Sequence, residues 1–286
     1  MADNASPKIG AADVAALRKA TGAGMMDCKA ALAETNGDMD AAKDWLRKKG
    51  LAGASKRAGR AAEQGAIEVV VDGKAGAIAE LTAETDFVAK GADITETVTK
   101  LASLAVAEAK EELASLPFEG STVEEHVAQL ASKLGENIAV GRVIVFESSD
   151  GLLDGYKHIQ SGRGTIGVLV ELGGVDPSDA KAQEVAHDVA LHVASAAPKY
   201  VGREDVPADV VDKERAVLEE LTRNEGKPEN ALEKIVEGRL NGFYKENVLL
   251  EQASVKDAKT TVAKLVESLG KDATVRQFAR VKIGED

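Results

Sequence analysis

A single cysteine, Cys28, in 286 residues excludes an intrachain disulfide, so the chain is not a disulfide-stapled scaffold and a reducing compartment is its natural home. Positive charge is in deficit. A formal net charge of −12 argues against a general binder of nucleic acid or membrane surfaces, which are themselves negative. No direct nucleic-acid partner and no membrane are therefore expected, and a protein or small ligand is favoured. No apolar run approaches the roughly 18 residues that a membrane span needs. The opening residues, Met1-Ala2-Asp3-Asn4-Ala5-Ser6-Pro7, lack the basic-then-apolar profile of a secretory leader and the Arg-rich amphipathic profile of a transit peptide. The expectation is a cytoplasmic protein in which Asn4-Ala5-Ser6 is an idle match to a glycosylation acceptor.

Catalytic signatures are missing as well. Gly162-Arg163-Gly164-Thr165-Ile166-Gly167 fits G-x-G-x-x-G, but it leads into the strand-like Val168-Leu169-Val170-Glu171-Leu172 and not into a helix, so it is read as a hairpin turn. Neither a G-x-x-x-x-G-K-[ST] phosphate loop nor a G-x-S-x-G elbow occurs. His187 and His192 share a helical stretch, yet a spacing of five sets them about 140° apart, not on one face as metal ligands require. The carboxylates are spread over solvated helix faces. The chain is not expected to be an enzyme, and no cofactor or metal is implied.

What is present is enough apolar residue, 44%, for a substantial core, and enough length for two or three domains, since single cores stop growing near about 250–300 residues. Residues 1–50 read as a three-helix module. Asp13 caps a helix carrying Val14, Leu17 and Ala20 that stops at Gly22, a second helix over 26–35 ends at Asn36-Gly37, and a third starts after Asp38 or Asp40 and runs through Trp45 and Leu46 to Gly50. Periodicity is lost over 51–65, which reads as a linker. Seven Lys or Arg fall between Lys43 and Arg60 against one acid, Asp44, but the linker 51–65 holds no aromatic residue to stack on a base, so a solvated tract is the reading.

The pattern then becomes α+β. A hairpin over 66–81 turns at Asp72-Gly73. A long helix follows Asp93, and Ser121-Thr122-Val123-Glu124 is a capping-box signal for another. These form an N-subdomain over 66–140. A C-subdomain over 141–205 follows, with strand-like runs at 138–147, 152–159 and 165–172 and a helix capped by Ser178. Tight turns between strands favour antiparallel sheets, and the repetition of strands followed by an Ala-rich helix makes the two subdomains similar in build. Residues 206–247 hold two helices joined at Asn224-Glu225-Gly226-Lys227-Pro228. Their apolar residues (Val210, Val217, Leu221; Leu232, Ile235, Val236, Leu240, Phe243) are spaced to zip into a projecting coiled-coil arm. Residues 248–286, a helix and the strand 274–283, return to the second sheet and complete the C-terminal part.

One short stretch stands apart. Thr85-Asp86-Phe87-Val88 places a large ring between a strand-like run and a helix, in a chain with only 3% aromatic residues. Such a ring is either a staple folded back on the following helix or a probe for a partner, and local sequence leaves both open.

Two motifs carry a specific resemblance. Thr21-Gly22-Ala23-Gly24-Met25-Met26-Asp27-Cys28-Lys29-Ala30-Ala31-Leu32, with Asn36-Gly37-Asp38, and Thr85-Asp86-Phe87-Val88-Ala89-Lys90 resemble the two signature regions of the bacterial translation elongation factor Ts family. Gly135-Glu136-Asn137-Ile138, Ile166-Gly167-Val168-Leu169-Val170, Gly226-Lys227-Pro228 and Val236-Glu237-Gly238-Arg239 extend it along essentially the whole chain. The resemblance implies a ubiquitin-associated-like helical module, two similar α+β subdomains, an inserted coiled-coil arm and a C-terminal module. It implies a guanine-nucleotide exchange factor that binds the GDP form of elongation factor Tu, with higher-order complexes of the pair left open. By the same resemblance Phe87 is the wedge that dislodges the partner's Mg²⁺, Asp86 its polar neighbour, and Thr85 and Val88 the brackets of the turn. Met25, Met26 and Lys29 would touch the partner's nucleotide domain and His158 would contact it from the second subdomain. Against this, packing considerations expect one of the two methionines inside the three-helix core. The competing functional reading is a non-enzymatic adaptor or chaperone-like module that binds through the helical module and the arm.

Overall fold

The computed structural model describes residues 9–285; residues 1–8 and Asp286, and with them the Asn4-Ala5-Ser6 match, lie outside the described residues. Three helices open the chain: α1 (Ala11–Thr21), α2 (Met25–Glu34) and α3 (Met39–Arg57). They close on Val14, Leu17, Cys28, Ala31, Leu32, Ala42 and Leu46. Asp13 is not the residue at the helix start. It lies three residues inside α1, and its carboxylate accepts the Gly10 amide at 2.9 Å. Gly22 ends α1 in the left-handed region with φ 68°, as its position predicts. Asp38 caps α3 through the amides of Asp40 and Ala41.

Helix α3 runs past Gly50 to Arg57, so the first half of the expected linker is helical. The Ala, Leu, Lys and Arg of that stretch favour a helix. Gly50 is buried where α3 crosses α6, against the backbone of Ala128 and Gln129.

The remainder is α+β with antiparallel sheets. Strands β1 (Gln64–Asp72) and β2 (Ala75–Ala83) form a hairpin. Its two-residue turn is Gly73-Lys74, one position later than Asp72-Gly73, because Asp72 still pairs with Ala75. A single-turn helix α4 (Asp86–Ala89), α5 (Ala92–Glu108), the two-residue strands β3 (Pro117–Phe118) and β4 (Ser121–Thr122), and α6 (Val123–Leu134) come next. Thr122, not Ser121, caps α6, accepting the Glu125 amide at 3.3 Å.

Strand β5 (Ala139–Glu147) overturns one expectation. It pairs with β2, giving the order β1-β2-β5, and so belongs to the first sheet and not to the second unit. β6 (Leu152–Gln160), β7 (Arg163–Gly173) and the final strand β8 (Thr274–Lys282) make the second sheet. Between β7 and β8 lie α7 (Ala180–Ala196), capped by Asp179 and not Ser178, the hairpin α8 (Ala208–Asn224) and α9 (Glu229–Asn247), and α10 (Val262–Glu267).

Alternation along the strands builds four layers. One face of the first sheet, including Ala66, Ala77 and Leu81, packs on Ile94, Val98 and Leu101 of α5 and Val127 of α6. Its other face offers Ile67 and Ile78 to Leu153, Leu169 and Val281 of the second sheet. The far face of that sheet, Val168, Val170 and Leu172, meets Val185, Val189 and Val193 of α7. The glycines of the nominal nucleotide motif serve a hairpin turn and this sheet-on-sheet contact. Gly162 turns the β6–β7 hairpin with φ 82°, and a Cβ on Gly164 would lie 2.1 Å from the Ile67 carbonyl oxygen.

The helical hairpin is rooted by main-chain bonds between its two ends. Tyr200 bridges Val248, the Lys199 amide donates to the Asn247 carbonyl at 2.8 Å, and the Leu249 amide donates to the Tyr200 carbonyl at 2.8 Å. The seam is not the one expected on α8: Val217 is 60% exposed and Leu221 is exposed too, while Thr222 is fully buried against α9. Leu232, Val236 and Leu240 of α9 are buried as predicted.

Candidate functional site

Thr85, Asp86, Phe87 and Val88 form the start of α4, where β2 hands over to α5. Thr85 is extended at φ −122°, and its hydroxyl accepts the Val88 amide at 3.3 Å, the usual device for ending a strand and starting a helix. Successive helical positions point about 100° apart, so neighbours can face opposite ways. Ala89 is fully buried and Val88 packs on the first core, whereas Phe87 is 77% exposed. The staple reading of Phe87 is therefore set aside. Asp86 is exposed beside it, with the Lys90 ammonium 3.3 Å away one turn on.

The root of this turn holds residues to which the sequence gave no role. One carboxylate oxygen of Glu136 accepts the amides of Glu84 and Thr85, each at 3.1 Å, and the other accepts the Thr85 hydroxyl at 2.6 Å. Reciprocally, Glu84 accepts the Asn137 amide at 2.6 Å and the Arg60 guanidinium at 3.2 Å. The Asn137 amide, assisted by Arg60, holds the Glu84 carboxyl below the usual carboxylate range. The only sequence signal for this was the stretch Gly135-Glu136-Asn137-Ile138, where Ile138 enters the core and leaves its two polar neighbours half-exposed.

Met25, Met26 and Lys29 are brought together at the start of α2. They line a shallow cleft with Ile9, Val14 and Arg18 of the α1 region. Neither methionine enters the three-helix core; they are 59% and 73% exposed, because Cys28, Ala31 and Leu32 already supply the inward face of α2. Met is flexible and polarisable, so such a pair is an adaptable apolar contact, and Lys29 adds a cation at its rim.

His158 lies exposed on β6, with Nδ1 3.2 Å from the Tyr156 hydroxyl. Ile159, next to it on β6, is also exposed, but it lines a cleft with Lys157, Glu68 and Thr99 that His158 does not share. Tyr156 packs edge-on against His187, whose Nδ1 is 3.1 Å from Asp154. Burial raises the Asp154 carboxyl above its ordinary value, against the pull of His187. The candidate residues thus fall in three sets, on α4, at the start of α2 and on β6. Among the described residues no group of three or more His, Cys, Asp or Glu is arranged to hold a metal ion, and no helix is long and apolar enough to cross a membrane.

Comparison with known proteins gives a uniform answer. The family described as Elongation factor TS matches residues 84–285, a span that starts at the α4 turn. The chain is similar to Elongation factor Ts of Rhodospirillum rubrum, at 46% identity over 97% of this chain and 93% of that one. It is also similar to Elongation factor Ts of Corynebacterium diphtheriae, at 45% identity over 96% of this chain and 98% of the relative. Elongation factor Ts of Mycobacterium tuberculosis is 46% identical over 96% of this chain and 98% of its own length.

Proposed function

The chain belongs to the elongation factor Ts family, whose members are translation elongation factors, and on that premise we propose that it is the guanine-nucleotide exchange factor of elongation factor Tu. The observation that carries this reading is Phe87: a large apolar ring, 77% exposed, on a one-turn helix whose next two residues are rooted in a core. Leaving such a ring in water forgoes burial worth about 1.5–3 kcal/mol, which is recovered when a partner covers it.

The chemistry of a GTPase explains what the ring does. GTPases hold their nucleotide in part through a Mg²⁺ ion bridging the phosphates, so a factor that disturbs the metal site loosens GDP without touching it. Phe87 acts as the wedge, Asp86 as the polar group at its tip, and Thr85 and Val88 fix the turn. Met25, Met26 and Lys29 dock on the partner's nucleotide domain, and His158 makes a second contact from the other subdomain. The action is mechanical and leaves no covalent change on either protein. Linkage then requires bound nucleotide to weaken the factor's grip by the same ratio, which releases the factor once GTP has entered.

The test is stopped-flow release of a fluorescent GDP analogue from purified elongation factor Tu. Acceleration by this chain supports the reading. An unchanged release rate, or binding to the partner indifferent to GDP and Mg²⁺ as an adaptor would show, overturns it.

A further inference from the structure

We propose that Glu136 is a positioning residue for Phe87, and that with Glu84 and Asn137 it ties the aim of that ring to the chain leaving the N-terminal helices; this rests on the exchange-factor reading above. Helix α4 has a single turn, far below the length at which a helix holds itself, so its direction is imposed by what grips its ends. Val88 and Ala89 root its C-terminal end in the first core. Glu136 grips the other end. Its carboxylate takes both amides at the β2 exit and the Thr85 hydroxyl, and that hydroxyl in turn receives the Val88 amide, so one side chain orders the entire first turn.

The same cluster reaches the helical module. Glu84 accepts the Asn137 amide and the Arg60 guanidinium, and the Asn137 side-chain amide donates to the Arg60 carbonyl at 2.8 Å. Arg60 follows closely on the end of α3 at Arg57. Helix α3 also seats the module on α6 through buried Gly50 and the Arg47–Glu125 ion pair at 2.8 Å. The wedge and the Met25–Met26 surface are therefore referenced to one frame, and a partner held by the module meets Phe87 at a fixed offset. Loss of the clasp should appear in how fast the bound complex releases nucleotide and not in how tightly it forms.

The experiment measures GDP release from elongation factor Tu across a range of concentrations of the full-length chain, comparing the wild type with Phe87→Ala, Glu136→Ala, Glu136→Gln and the double variant Phe87→Ala/Glu136→Ala. Misplacing a group by about 1 Å can cost about a hundredfold in rate, so Glu136→Ala is expected to lower the maximal release rate about tenfold or more, with the half-saturating concentration within about twofold of the wild type. Glu136→Gln is expected to restore most of the rate, since its carbonyl still accepts both amides and its NH₂ can donate to the Thr85 hydroxyl. Acting through Phe87, Glu136 adds nothing once the ring is gone, so the double variant should be no slower than Phe87→Ala. A full maximal rate for Glu136→Ala, a Gln variant as impaired as the Ala variant, or a further loss in the double variant overturns the proposal. If Glu136→Ala loses its cooperative unfolding transition, Thr85→Val, which removes the hydroxyl that Glu136 grips and with it the cap on the Val88 amide, carries the same comparison. A wild-type chain that fails to accelerate release refutes the exchange-factor reading itself, whereas an active wild type and an impaired Phe87→Ala beside a fully active Glu136→Ala refute the clasp alone.

Discussion

His192 and Gln252 share a buried hydrogen bond, Nε2 to Oε1 at 2.8 Å, between the middle of α7 and the segment after α9. The other ring nitrogen accepts the Val255 amide at 3.3 Å, so the imidazole is neutral with its proton on Nε2. Gln252 passes the connection on by donating to the Glu246 carbonyl at 2.8 Å, at the root of the arm.

A pH dependence follows from this pair. Burial pushes the His192 pKa below its ordinary value of 6.5. The unfolded chain therefore takes up a proton before the folded one does. Stability is fully present above about pH 6.5 and falls as pH drops from there through the folded pKa, with a slope for one proton of at most about 1.4 kcal/mol per pH unit. His126, also held low by burial, contributes in the same direction. Urea unfolding of the wild type and His192→Gln from pH 7.5 to 5 checks this, and the variant should show the shallower dependence.

Phe87→Ala should separate function from folding. The ring is exposed, so the unfolding free energy should change by no more than about 0.5 kcal/mol. Loss of a buried interface anchor commonly costs about 2–4 kcal/mol, and nucleotide-exchange acceleration should fall accordingly. Thermal unfolding and stopped-flow release on the same preparation give both values.

Gly164→Ala tests the contact between the sheets. The added methyl meets the Ile67 carbonyl at 2.1 Å, and that oxygen belongs to the β1 backbone, which has little freedom to retreat. Overpacking of this kind costs about 1–3 kcal/mol or more. Gly162→Ala at the hairpin tip meets no neighbouring atom but sits at φ 82°, so its penalty is conformational. Denaturant titration of both variants should show Gly164→Ala as the more damaging.

Within the arm, Leu240→Ala should cost about 2–4 kcal/mol, the range for truncating a buried leucine, because Leu240 is 1% exposed in the α8–α9 seam. Val217→Ala should stay within about 0.5 kcal/mol because its side chain faces water. Helicity and thermal midpoints of the two variants distinguish this seam from the one built on Val217 and Leu221.

Much of the architecture was legible where the signal is local. Gly22 and Asn36-Gly37 end their helices, Gly162 marks a hairpin, and the spacing of Leu232, Val236 and Leu240 fixes the buried side of α9. What was not legible depends on contacts distant in sequence. The run 138–147 alternates in the same way whichever sheet receives it, and only the free edge of β2 decides. Helix α8 carries apolar residues on two adjoining faces, so periodicity alone did not choose between Val217 and the side that bears Thr222. Phe87 was conspicuous because a ring is rare here. Glu136 was not, since a lone carboxylate in a connecting segment has no period, and its meaning arises only when β2 is brought beside it.

The bonds joining 199–201 to 247–250 give the arm a closed base. The polypeptide enters and leaves it side by side, so the path through α7 and on to α10 and β8 continues as if the excursion were a side branch. Loop closure grows only slowly with length, by about 0.6 kcal/mol per doubling. Turns of helix can thus be gained or lost beyond that neck with little consequence for the second sheet, which leaves the arm free to diverge while the four-layer body stays constant.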